Sequence, residues 1–182
     1  MTRIASLLVS ALAAPGAIAD EWRMQDDGEL LFQPTWEGDV VPGRFDDFDV
    51  RLDTGEGGIA GSELEVTVRL GSADMDDPDI NEAIAGAEWF AVGKFPVATY
   101  TSDRIEEATD GAYLSAGHLE LKGLRLPVTV PFQWAESGDS AAMSGEVVID
   151  RTRFEVGSGE WASDEPIGTA VRVRFRVTLE RQ

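Results

Sequence analysis

Few residues of this chain are of types that do chemistry, and their spacing argues against most reactions. The 182 residues contain no cysteine and one histidine, His118. Thiol catalysis, zinc–thiolate sites and iron–sulfur clusters are thereby excluded. A Ser-His-Asp triad would have to use His118, which alternates with Leu119 and so points outward from a strand; no Gly-x-Ser-x-Gly elbow accompanies it. The acidic run Asp74-Met75-Asp76-Asp77-Pro78-Asp79 has the look of a calcium loop. It lacks the central glycine, and Ala85 stands at the twelfth loop position, where a bidentate Glu is needed. The run is read as a solvated loop that caps a helix. No catalytic residue, metal site or catalytic cofactor is expected, and the chain is read as a non-enzyme.

Charge and the N-terminus narrow the setting. Thirty-four acidic against fifteen basic residues give a net charge of −19, a surface that repels nucleic acid and anionic headgroups. Met1-Thr2-Arg3, the apolar run Ile4 to Ala14 and Ala17-Ile18-Ala19 read as a basic start, a hydrophobic segment and an A-x-A cleavage site. That is a secretory signal peptide over 1–19, too short for a membrane span, with cleavage expected before Asp20. The remainder, 20–182, is one domain by size. A periplasmic or secreted location follows.

The elements are almost all strands. The central stretch from Trp89 to Phe132 opens on an aromatic knot (Trp89, Phe90, Phe95) and continues through a turn at Asp110-Gly111, where both residues suit positive φ. Beyond it Leu119 and Leu121 alternate with His118, Glu120 and Lys122, the strands breaking at Gly123. Period-two alternation marks half-buried antiparallel strands. The same pattern recurs from Leu64 to Leu70 and from Val171 to Leu179, and a first strand is placed at Leu30-Leu31-Phe32. Phe45 and Phe48, three apart within a long second strand (Val40–Leu52), reach one face if a bulge sits at Asp46-Asp47. Ile80, Ala83, Ile84 and Ala87 form an apolar stripe after Asp77-Pro78-Asp79, with Asp79 and Glu82 as a capping box, so one short helix interrupts the strands. Eight or nine antiparallel strands and one helix fit a sandwich or an up-and-down barrel, and a barrel of about eight strands has room for one small ligand.

Five segments, in order, resemble the YceI-like family. They are Val41–Asp49 (V-P-G-R-F-D-D-F-D), Ser62–Val68, Trp89–Ser102 (W-F-A-V-G-K-F-P-V-A-T-Y-T-S), Gly117–Val128 and Asp150–Trp161. The resemblance covers nearly the whole chain after the leader. It implies an all-β, lipocalin-like up-and-down antiparallel barrel of about eight strands with one short inserted helix. It further implies an exported protein with an apolar tunnel for an isoprenoid lipid, such as an isoprenoid quinone or a prenyl phosphate, or for a fatty-acid-type amphiphile; dimers occur in the family, so a homodimer is one expectation. A stress-related accessory role, handing quinone to a membrane redox partner, is the alternative. Two departures stand out: Glu155 replaces a glycine usual in the F-G-V-G segment, and Leu126 replaces a hydroxyl residue.

A hydrocarbon chain needs a continuous apolar lining more than directed contacts, because the driving force scales with area at about 25 cal/mol per Å². The lining candidates are therefore the large inward residues Phe45, Phe48, Trp89, Phe90, Phe95, Tyr100, Tyr113, Leu119, Leu121, Phe132 and Phe154. For an anionic headgroup the guanidinium is the matching group. Among Arg44, Arg51, Arg104, Arg125, Arg151 and Arg153, the pair Arg151 and Arg153 falls nearest an expected barrel rim.

Overall fold

A computed structural model describes residues 20–25, 28–55 and 58–182. The signal-peptide expectation for 1–19 lies outside the described residues.

Among the described residues thirteen strands and one α-helix follow in chain order: β1 (Glu21–Met24), β2 (Glu29–Gln33), β3 (Thr35–Trp36), β4 (Asp39–Val40), β5 (Gly43–Phe45), β6 (Phe48–Gly55), β7 (Gly58–Arg69), β8 (Ala73–Asp74), α1 (Pro78–Ala85), β9 (Val97–Glu107), β10 (Ala112–Leu121), β11 (Leu124–Ser137), β12 (Ser140–Asp150) and β13 (Ala170–Arg181). The order β1-β6-β7-β9-β10-β11-β12-β13 closes on itself, because β13 also pairs with β1. All eight pairings of this ring are antiparallel. The architecture is a closed eight-stranded up-and-down barrel.

Three wall positions are broken strands, and the breaks matter for the cavity. β13 pairs with β1 through Leu179–Arg181 and with β2 through Arg172–Arg176. β5 and β6 are one strand interrupted at Asp46-Asp47, which lets Phe45 and Phe48 both turn inward. β8 pairs with β5 beyond a 3-10 turn at Leu70–Ser72. The short segments β2, β5 and β8 thus carry the wall upward past the closed ring. Strand β1 was not legible in the alternation: four residues, E-W-R-M, are too few for a periodic signal. Yet Trp22 within it is 1% exposed and packs edge-on against Trp134, centroids 5.3 Å apart.

Turn chemistry follows the residues. Lys122 and Gly123, at φ 53° and 77°, join β10 to β11 with the mirror-image turn suited to twisted hairpins. Asp110 and Gly111 also take positive φ, though in a longer link between Glu107 and Ala112 than a two-residue loop. Helix α1 is capped by Asp77, whose carboxylate accepts from the N–H groups of Asp79 and Ile80 at 2.9 and 3.2 Å. The cap is therefore Asp77 acting on backbone, and the expected Asp79/Glu82 box is absent because Asp79 lies inside the first turn.

Burial is graded along the barrel axis. On β13, Leu179 and Val177 are sealed in the core, while the inward Val173 and Val171 are only half-buried. On β12, Met143 and Ala141 are sealed, while Ile149 stays half-buried. One half of the barrel is packed solid around Trp22, Leu52, Leu64, Phe132 and Met143. The other half is not.

Candidate binding cavity

The unfilled half encloses a cavity of about 470 Å³. Its wall is built from the upper ends of strands: Phe32 of β2, Phe45 of β5, Leu121 of β10, Ile149 of β12, and Val171 and Val173 of β13. Its roof is α1, which presents Ile80, Ala83 and Ile84, followed by Trp89 and Phe90. The β3–β4 hairpin contributes Trp36, and the loop after β12 contributes Val156, Trp161 and Ile167. Phe32, Phe45 and Phe90 form a ring cluster, with centroids 4.9 to 6.4 Å apart. Two lining residues carry formal charge, Asp79 and Arg151.

Arg151 organises the loop side. It is 4% exposed, and each of its five N–H groups is donated to a backbone carbonyl. Nε reaches Gly168 at 3.0 Å, Nη1 reaches Val156 and Gly157 at 2.9 and 3.2 Å, and Nη2 reaches Ser163 and Ile167 at 2.9 and 2.7 Å. A guanidinium has no sixth donor. Burial pushes its pKa below the ordinary arginine value, with the nearby Asp150 and Asp164 opposing. Gly157, at φ 73°, must be glycine for a second reason: a Cβ there would meet Arg151 Nη1 at 2.2 Å.

The expected headgroup role for Arg151 is thus overtaken by a structural one, since no N–H is left for a phosphate. Arg153 is exposed, does not line the cavity, and makes no ion pair among the described residues. Other arginines are neutralised: Arg44 by Asp46, Asp74 and Asp76, Arg51 by Glu21 and Asp53, and Arg104 by Glu106.

Of the eleven lining candidates, Phe45, Trp89, Phe90 and Leu121 line the cavity. Phe48, Tyr100, Tyr113, Leu119 and Phe132 belong to the packed half instead. Tyr100 is held there by its hydroxyl, which donates to the Ser115 carbonyl at 2.8 Å, and burial raises its pKa. Phe154 is buried in the 3-10 turn directly after β12, and Phe95 sits outside the cavity against Gly123. The physical reason is simple. Alternation tells inside from outside but not height along the axis, and only the upper inward positions see the cavity.

The remaining chemical candidates are accounted for. His118 sits on the outer wall with Nδ1 2.8 Å from an Asp103 carboxylate oxygen. The acidic loop spends its carboxylates on protein partners: Asp74 on Arg44 and Asn81, Asp76 on Arg44, and Asp77 on the helix cap. Among the described residues no group of three or more His, Cys, Asp or Glu is placed to hold a metal ion.

A closed barrel, packed at one end and hollow and apolar at the other under a helical roof, defines a binding barrel for a non-polar ligand. The chain belongs to the YceI-like family: the YceI-like domain matches residues 28–179. UPF0312 protein YE1254 of Yersinia enterocolitica is 29% identical over 143 residues, spanning 73% of this chain and 72% of the relative. The crystal structure of BcnA from Burkholderia cenocepacia matches at 27% identity with a TM-score of 0.79, covering 83% of this chain and 95% of that one. A domain from Saccharophagus degradans described as polyisoprenoid-binding shares the fold at 17% identity and a TM-score of 0.68, covering 88% and 98%.

Proposed function

We propose that this protein is an exported carrier or store for a lipid with an apolar, isoprenoid-type chain, and that it acts by binding without turnover. The observation that carries the reading is the cavity itself, whose walls are aromatic and branched aliphatic side chains with a single buried cation whose donors are all spent. Burying a hydrocarbon there releases its surface from water without asking any wall group to give up a hydrogen bond. The family membership and the polyisoprenoid-binding description of the S. degradans domain support the same ligand class. The leader-like 1–19 segment supports export to the periplasm or beyond.

Among the described residues no nucleophile and base converge on the cavity, whose polar side chains are those of Thr35, Asp79, Arg151 and the tryptophans. Trp36, Trp89 and Trp161 line it, so occupancy has an intrinsic reporter. Titration with a long-chain isoprenoid is expected to change tryptophan emission saturably at one ligand per protein. A flat titration with isoprenoids of several lengths would overturn the reading.

A further inference from the structure

We propose that the barrel wall is open between β11 and β12 beside the cavity, and that this slot is a lateral passage for the ligand's chain besides the roof. This rests on the lipid-binding reading above and adds a route to it. β11 pairs with β10 along Leu124–Gln133, and β12 pairs with β13 along its whole length. Between β11 and β12, pairing runs only from Ser137↔Ser140 to Phe132↔Gly145. Among the described residues this seam is therefore hydrogen-bonded in the packed half of the barrel and unpaired in the hollow half.

The sequence supplies the cause. Continuing the register would set Pro131 against Glu146, Thr129 against Val148 and Pro127 against Asp150. The Pro131 carbonyl turns toward Gly145, where an added Cβ would meet it at 2.4 Å. A strand residue turns its N–H and C=O to the same side, so the edge that lacks donors is the one facing β12. Proline inside a sheet is confined to edges for this reason. One donor, on Thr129, between two missing ones does not carry the ladder on, and the strands part.

The slot has built ends and an apolar interior. Below, it stops at the Phe132↔Gly145 pair. Above, Lys122 Nζ donates to the carbonyls of Glu155 and Glu88 at 2.6 and 3.2 Å, tying the β10–β11 turn to the loop after β12. Inside, Leu121 of β10 and Ile149 of β12 line the cavity, while β11 between them contributes no lining residue. Outside, Val148 is 57% exposed on the β12 edge, and Leu114 is 39% exposed beside Pro131. A hydrocarbon crossing such an edge displaces water from apolar side chains and meets no buried charge.

The chain has no cysteine, so Thr129→Cys combined with Val148→Cys places two unique thiols across the slot, and a bis-maleimide can bridge them on the folded protein. Stopped-flow tryptophan emission with geranylgeraniol then compares the bridged protein with the same variant capped by N-ethylmaleimide. Bridging is expected to slow loading and release by at least ~5-fold while equilibrium affinity is unchanged. In the unaltered protein, the slot-facing amides of Glu146–Asp150 should also exchange hydrogen faster than the amides of Ser140–Gly145. Equal rates in bridged and capped protein, or slot-facing amides as protected as those below, would overturn the inference. No binding of geranylgeraniol by the unaltered protein would instead overturn the lipid-binding reading beneath it.

Discussion

The Arg151 guanidinium lies 5.5 Å from the centroid of the Trp89 ring, a cation held against an aromatic face at the boundary of the cavity. That contact joins two segments distant in sequence, the roof after α1 and the loop after β12. Trp89 in turn packs on Trp161 of that loop, centroids 5.9 Å apart, and Trp161 Nε1 donates to Glu88 Oε2 at 3.2 Å. Roof and loop therefore form one unit.

Replacing Arg151 should undo it. Arg151→Met leaves five carbonyls without their donor, and buried unsatisfied polar groups cost ~1–3 kcal/mol each. Chemical denaturation is expected to show a loss of at least about 3 kcal/mol, with Arg151→Lys intermediate because an ammonium has three donors. A loss no greater than that of a surface arginine would contradict the structural role.

Trp89 is expected to control exchange. Trp89→Ala removes the Trp161 contact and the Arg151 face while the packed half of the barrel is untouched. An aromatic contact is worth about 1 kcal/mol, so stopped-flow loading and release should each quicken by roughly fivefold. Unchanged rates would show that the roof does not gate entry.

The two halves of the barrel should separate stability from binding. Phe132 is 2% exposed in the packed half, so Phe132→Ala is expected to cost about 3–5 kcal/mol of stability and leave ligand stoichiometry unchanged. Phe90 is half-buried on the cavity wall. Phe90→Ala should weaken ligand affinity and cost less stability than Phe132→Ala, as denaturation and titration of the two variants would show.

Two carboxylates should titrate late in acid. Asp74 is held below its ordinary value of 3.8 first by the hydrogen bond from Asn81, then by the Asp76 N–H, with Arg44 adding. Asp164 is held below 3.8 by the Thr169 backbone N–H. A depressed folded pKa adds stability that is complete above the unfolded value and is lost as pH falls through the folded one. Carbon-13 NMR titration is expected to place both midpoints under 3.8, and Asp74→Asn should reduce the acid sensitivity of stability in that window. A midpoint at or above the ordinary value would contradict the hydrogen bonding described.

Glu155 occupies the left-handed region at φ 56°, where the family segment usually has glycine. A non-glycine residue pays about 1–2 kcal/mol there, and Lys122 Nζ compensates by donating to the Glu155 carbonyl at 2.6 Å. Glu155→Gly is expected to raise the melting temperature modestly, and a drop would show that the Glu155 side chain itself is needed.

Strands with regular alternation were legible because their period is a local property: the inward and outward residues of β10 and β13 fall as the pattern requires. The helix was legible from its stripe and from Pro78. The role of Arg151 was not, because five carbonyls from a loop converge on it only after folding. Trp36 and Trp161 escaped notice for a related reason. One sits on a two-residue strand beside a turn and the other in a 3-10 turn, where no periodicity marks the inward face.

The central claim is that the hollow half of the barrel holds a lipid. Native mass spectrometry of the protein purified after export, followed by solvent extraction and lipid identification, tests it most directly. The account predicts a one-to-one adduct that extracts as a lipid with an isoprenoid-type chain. A protein that purifies empty, and remains empty after incubation with isoprenoid quinones and alcohols, would contradict it.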